Sequence, residues 1–129
     1  FPHHWALPLI CLQELLALDK IARREEAVVI VNRHTDTTKQ HNERARLRTL
    51  DRSRLWAMET PQVFSRELID RAYARVSARR LRITDDASAV EKLGHPIALL
   101  ENTHANPKLT TPADLAYLEF LCASDQVLV

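Results

Sequence analysis

From Leu12 to Arg24, the apolar residues Leu12, Leu15, Leu16, Leu18 and Ile21 recur at largely helical spacing among polar ones, which predicts an amphipathic helix. Ala27 to Val31 is a short β-branched run, the pattern of a buried strand. A helix leading into a buried strand is one step of an α/β layer. The pattern then breaks. Between Asn32 and Glu59 polar residues dominate: Thr35-Asp36-Thr37-Thr38, a charged stretch from His41 to Arg46, then the alternating Leu47, Thr49 and Leu50. So few apolar side chains cannot make their own core, so an extended arm or hairpin covered by a partner is expected there.

Beyond the arm, Leu55-Trp56-Ala57-Met58 reads as a strand that Thr60-Pro61-Gln62 interrupts, because proline cannot donate to a ladder. Phe64, Leu68, Ile69, Ala72, Tyr73 and Val76 then predict a helix from Phe64 to Ser77, with Ser65 followed by Leu68 only a weak capping pattern. Thr84 stands as the cap of a further helix, with Asp85 and Asp86 in the first turn where the helix dipole favours negative charge. Gly94 closes that helix, Pro96 to Leu100 reads as a strand, and Thr111-Pro112 opens a last amphipathic helix from Leu115 to Cys122. No internal repeat or low-complexity tract is visible.

Composition adds limits. The chain has 129 residues, net charge +1, 46% hydrophobic and 27% charged residues, ordinary values for one small globular domain, and no apolar run nears the ~20 residues that span a bilayer, so no membrane partner is expected. Its single glycine, Gly94, leaves no Walker or dinucleotide loop within these residues, since such loops need several glycines to turn tightly and approach phosphates. The opening Phe1-Pro2-His3-His4-Trp5 shows no signal peptide and reads as a processed or truncated end. Cys11 and Cys122, far apart and without CxxC spacing, fit free thiols in a reducing compartment, hence a cytoplasmic location.

The small net charge hides an asymmetry, with thirteen basic against six acidic residues over 33–82 and two against seven over 83–129. Arginines such as Arg44, Arg46, Arg48, Arg52 and Arg54 could meet an anionic partner, but solvated strand and helix faces explain them as well. No nucleic-acid motif accompanies them, so nucleic acid is not the expected partner.

Candidate chemistry is sparse until the loops are considered. His3 and His4 are adjacent and point to opposite faces of an extended segment, and His34, His41, His95 and His104 lack ligand spacing, so no histidine metal site is expected. There is no GxSxG elbow, and both cysteines sit in apolar helix patterns that suit small buried residues. Thr37, Thr60, Thr84 and Lys108, however, each lie at a loop or element end. Hydroxyls with Lys108 and Arg52 could hold a small polyol phosphate through directional hydrogen bonds and charge neutralisation. Helix caps and turns account for the threonines equally well.

Five stretches in order carry a resemblance: Thr35-Asp36-Thr37-Thr38-Lys39; Thr49-Leu50-Asp51-Arg52-Ser53-Arg54-Leu55-Trp56; Glu59-Thr60-Pro61-Gln62-Val63-Phe64; Ile83-Thr84-Asp85-Asp86-Ala87-Ser88; and Asn106-Pro107-Lys108 through Leu115. In order and spacing the chain resembles the C-terminal half of the 2-C-methyl-D-erythritol 4-phosphate cytidylyltransferase family. The resemblance implies an α/β fold, a partial Rossmann-like nucleotidyltransferase sheet with a projecting β-arm at about 33–59, in one partial domain over 1–129. It implies transfer of a cytidylyl group from CTP to methylerythritol phosphate with release of pyrophosphate, and a homodimer interlocked through the arm.

By the same resemblance Thr37 and Arg52 reach the neighbouring subunit's substrate, Thr60, Thr84 and Lys108 line their own subunit's pocket, and Lys108 is the catalytic cation. A Mg²⁺ ion would share the triphosphate's charge. The chain departs from the family where His4 replaces the metal-binding Asp and Leu7 an Arg, and nothing in it matches the glycine-rich nucleotide loop, so the chain alone is expected to be inactive. Alternative readings are a ribitol-phosphate cytidylyltransferase relative, which shares the Thr-Asp-Thr and Thr-Pro-Gln motifs, and a non-catalytic dimerisation remnant.

Overall fold

The computed structural model describes residues 9–124. Helix α1 (Leu12–Glu25) leads through Glu26, held in the left-handed region at φ 64°, into strand β1 (Ala27–Arg33). An arm follows, built on the antiparallel pair β2 (Lys39–His41) and β3 (Leu47–Thr49) and a single 3-10 turn at Arg52–Arg54. Strand β4 (Trp56–Phe64) returns antiparallel along β1. The arm is thus the long connection of a β1–β4 hairpin. Helices α2 (Arg66–Arg79) and α3 (Asp86–Glu91), strand β5 (Ala98–Glu101) and helix α4 (Pro112–Ala123) complete the described chain.

The main sheet runs β4-β1-β5, with β5 parallel to β1. Central β1 has Ala27 to Val31 buried on both faces, which explains a continuous apolar run where a half-exposed strand would alternate. Val28 and Ile30 face α1 and pack with Leu18, while Val29 and Val31 pack with Ala87, and Ala27 joins Leu68, Ala72, Ala89 and Val90 under α2 and α3. The period-two alternation of a strand feeds two helical layers at once. Each fully buried Val, Leu or Ile contributes about 1.5–3 kcal/mol.

Four readings of the sequence need correction. Strand β4 is continuous through Thr60-Pro61, joined by a cis peptide bond, because Pro61 falls at an irregularity of an edge strand, where the ladder asks no donor of it. Asp85, not Thr84, caps α3: its carboxylate accepts from Ser88 N at 2.8 Å, and Ser88 Oγ accepts from Asp85 N at 3.1 Å, a reciprocal pair that a threonine one residue earlier cannot make. The last helix is not amphipathic in this chain, since only Leu121 is buried while Leu115, Phe120 and even Tyr117, one turn before Leu121 on the same face, remain exposed. The cysteines are not buried core residues either: Cys11 is the half-buried cap residue of α1 and Cys122 is exposed.

Ser65, a weak signal in the sequence, does cap α2 by accepting from Leu68 N at 3.3 Å. Gly94 at φ 74° ends the turn after α3, two residues beyond the cap position Lys92. Thr111 caps α4 with Pro112 in its first turn, as its sequence implies. Among the described residues no helix is long and apolar enough to cross a membrane.

Candidate functional site

The site grows out of an irregularity in β4. Val29 pairs with Gln62 but Val31 pairs with Met58, so Glu59, Thr60 and Pro61 bulge out of register opposite Ile30. A bulge takes backbone groups out of the ladder, and they need other partners. The Thr60 carbonyl finds one in Asn106, whose Nδ2 donates to it at 2.9 Å. The same Nδ2 donates to Glu59 Oε2 at 3.2 Å, and Asn102 Nδ2 donates to that oxygen at 3.0 Å.

Asn102 stands at the end of β5, its N–H donating to the Val31 carbonyl at 2.8 Å. The loop carrying Lys108 is therefore pinned across the end of β1 onto the β4 bulge. Lys108 is exposed two residues beyond Asn106, with Pro107 between them fixing its own φ. Thr60 is half-buried beside Asn106, so the structure brings Thr60 and the Lys108 loop together.

A second tie runs to Thr84. Gln62 Nε2 donates to Asp85 Oδ2 at 2.9 Å and Gln62 Oε1 accepts from Ala87 N at 3.0 Å, locking the start of α3 to β4. Burial pushes the Asp85 carboxyl up, but hydrogen bonds from Gln62 and from the Ser88 N–H and hydroxyl outweigh it and hold Asp85 below the usual carboxylate range. Exposed Thr84 lines a cavity of about 440 Å³ together with Met58, Asp85, Ser88, Glu91 and His95. Two carboxylates and no lysine or arginine line it. A phosphate placed there would need a cation from another element.

Thr37 and Arg52 sit apart from this centre, at the root of the arm, both exposed. Arg52 Nη1 donates to the Thr35 carbonyl at 2.8 Å and the Leu50 N–H to the Thr38 carbonyl at 2.8 Å, so the arm's two legs are tied where they leave the body. Every residue of β2 and β3 is exposed. Among the described residues neither Arg52 nor Lys108 forms an ion pair, which leaves both cations available to an anion.

Glu59, Gln62 and Asn106 lie inside the sequence motifs without a role marked for them there, and Asn102 lies outside those motifs. A carboxylate before Thr-Pro-Gln and two asparagines in one short loop were the available signal, since asparagine amides often satisfy stray carbonyls. Among the described residues no three His, Cys, Asp or Glu side chains converge. The departures at His4 and Leu7 lie outside the described residues.

Solved structures share this fold. The 2-C-methyl-D-erythritol 4-phosphate cytidylyltransferase from Thermus thermophilus superposes with a TM-score of 0.77 at 31% identity, covering 92% of this chain and 58% of that one. The Francisella tularensis enzyme of the same description gives 0.79 at 27% identity, over 89% and 55%. The fold is that of an α/β nucleotidyltransferase, of which this chain forms a part. The family model IspD, 2-C-methyl-D-erythritol 4-phosphate cytidylyltransferase, matches residues 2–124, and the chain belongs to that family. Relatives in Halalkalibacterium halodurans and Geobacillus thermodenitrificans are 36% and 39% identical over 124 and 122 residues, covering 96% and 95% of this chain. The chain spans about half the length of these curated relatives, 54% in both cases.

Proposed function

We propose that this chain forms the acceptor-alcohol side of a cytidylyltransferase that joins CTP to 2-C-methyl-D-erythritol 4-phosphate in the non-mevalonate route to isoprenoid precursors. The observation that carries the reading is the pinned loop: Asn106 ties the Lys108 segment to Thr60 at the β4 bulge, in a chain matching the family over residues 2–124. Lys108 is the catalytic cation and binds the acceptor's phosphate, with Thr60 and Thr84 contributing hydroxyls. A phosphate oxygen of the acceptor attacks the α-phosphorus of CTP; that P–O bond forms as the bond to the β-phosphate oxygen breaks, and pyrophosphate leaves.

The acidic lining around Thr84 supports a second contribution. Arg52 on the arm of a second copy supplies the cation that this cavity lacks and Thr37 a further hydroxyl, which makes the working form a homodimer interlocked through arms at about 33–59, each on a single partial domain over 1–129. No glycine-rich loop lies within these 129 residues, so we assign them no hold on the triphosphate and no turnover by themselves. A cytoplasmic location agrees with the free cysteines.

The test is pyrophosphate release by the purified chain given CTP, methylerythritol phosphate and Mg²⁺, alone and after addition of a relative's nucleotide-binding half. Release only in the mixture, abolished by Lys108→Ala, is expected. Release by the chain alone above the Lys108→Ala background would overturn the assignment of sides.

A further inference from the structure

Glu59 Oε2 accepts two amide donors, from Asn102 and Asn106, while Asn106 also closes onto the Thr60 carbonyl that the bulge removed from the ladder. Together these bonds join a β4 edge residue, the end of β5 and the Lys108 loop. We infer that Asn106, braced by Glu59, is the positioning residue that sets Lys108 against Thr60 for the acceptor phosphate. The inference rests on the acceptor-site reading above.

Three features single out Asn106. Its Nδ2 is fully used by two acceptors, which sets the orientation of the amide even though the buried Oδ1 has no hydrogen-bond partner among the described residues. Pro107 then fixes a backbone torsion between the anchor and Lys108, so the anchor's position is transmitted to the lysine with little slack. Lys108 itself has no ion-pair partner among the described residues, so the loop fixes where its stem begins and nothing else restrains it. A long flexible lysine gains most from a base held still.

Glu59 acts as an acceptor in this arrangement, not as a charge directed at the substrate. Glu59→Gln keeps a carbonyl oxygen that can take both amide donors, whereas Glu59→Ala leaves them unmet.

The experiment titrates the ¹⁵N-labelled chain with 2-C-methyl-D-erythritol 4-phosphate and follows the amide signals of Thr60 and Lys108 by NMR, with thermal unfolding recorded for every variant. Asn106→Ala and Glu59→Ala are expected to weaken binding about tenfold, while Glu59→Gln stays within about threefold. The double variant Asn106→Ala/Lys108→Ala is expected to bind no more weakly than Lys108→Ala, because Asn106 acts through the lysine. A residue that merely stabilised the fold would weaken binding in the Lys108→Ala background as well.

If Lys108→Ala weakens binding and Asn106→Ala does not, the inference is overturned and the acceptor-site reading stands. Additive losses in the double variant also overturn it. If the unsubstituted chain shows no saturable shifts, or Lys108→Ala binds like it, the acceptor-site reading falls and takes the inference with it.

Discussion

Asp114 shows how much one residue in a cap can do. Its carboxylate accepts from the Thr110 and Thr111 N–H groups and from both hydroxyls, at 2.7–2.9 Å, and these bonds pull its pKa down to about 2 from an ordinary 3.8. A folded pKa below the unfolded one means the contribution is present above pH 3.8 and is lost as pH falls towards 2. Protection of the first-turn amides of α4 against hydrogen exchange, taken relative to the intrinsic rate at each pH, should therefore hold at pH 4 and fall as the solution approaches pH 2; Asp114→Asn should remove that pH dependence of protection.

Thr60 is testable by a substitution that keeps its shape. Thr60→Val preserves the carbonyl that Asn106 needs but removes the hydroxyl, and should weaken methylerythritol phosphate binding about tenfold without lowering the melting temperature. A variant that binds unchanged would remove Thr60 from the site. At this scale Thr60, Thr84 and Lys108 stood out in the sequence through the motifs that hold them, since composition alone explains such threonines as caps and turns. Their partners were not legible, since Glu59, Asn102 and Asn106 meet only when β4 and the end of β5 come together across β1.

Elements obey the same division between local and long-range information. Helix α1, strand β1 and the Thr111-Pro112 start of α4 follow from periodicity and capping, which are local signals. Continuation of β4 through Pro61 depends on β4 being at the sheet edge, a fact of topology that no window of sequence contains. The exposed faces of α4 likewise reflect what packs on it and not its own pattern.

Gln62 links elements at this scale, and its replacement measures the link. Gln62→Ala leaves the Ala87 N–H and the Asp85 carboxylate without their partner and should cost about 1–3 kcal/mol in a denaturant titration. Ile30→Ala, which empties the α1 face of β1, should cost about 2–5 kcal/mol by the same measurement. If Gln62→Ala were neutral, the tie between β4 and α3 would be incidental.

The whole molecule leaves much apolar surface uncovered. Leu12 and Leu16 on α1, Leu47 on the arm and Phe120 on α4 are all at least 60% exposed, and both β4 and β5 are sheet edges. Such surface and edges favour association, so the isolated chain should be dimeric or larger in sedimentation at micromolar concentration. A monomer with a sharp, reversible thermal transition would contradict this.

Charge at this scale places cations such as Arg44, Arg46, Arg48 and Arg52, without ion-pair partners among the described residues, on the arm and carboxylates around Thr84, the complementarity that an arm-to-body dimer would use. The central claim, that these residues hold the acceptor and not the nucleotide, is tested most directly by calorimetric titration of the same chain with methylerythritol phosphate and, separately, with CTP. Saturable binding of the first, lost in Lys108→Ala, with no binding of the second, is the predicted result; CTP binding as tight as the acceptor's, or acceptor binding indifferent to Lys108, would contradict it.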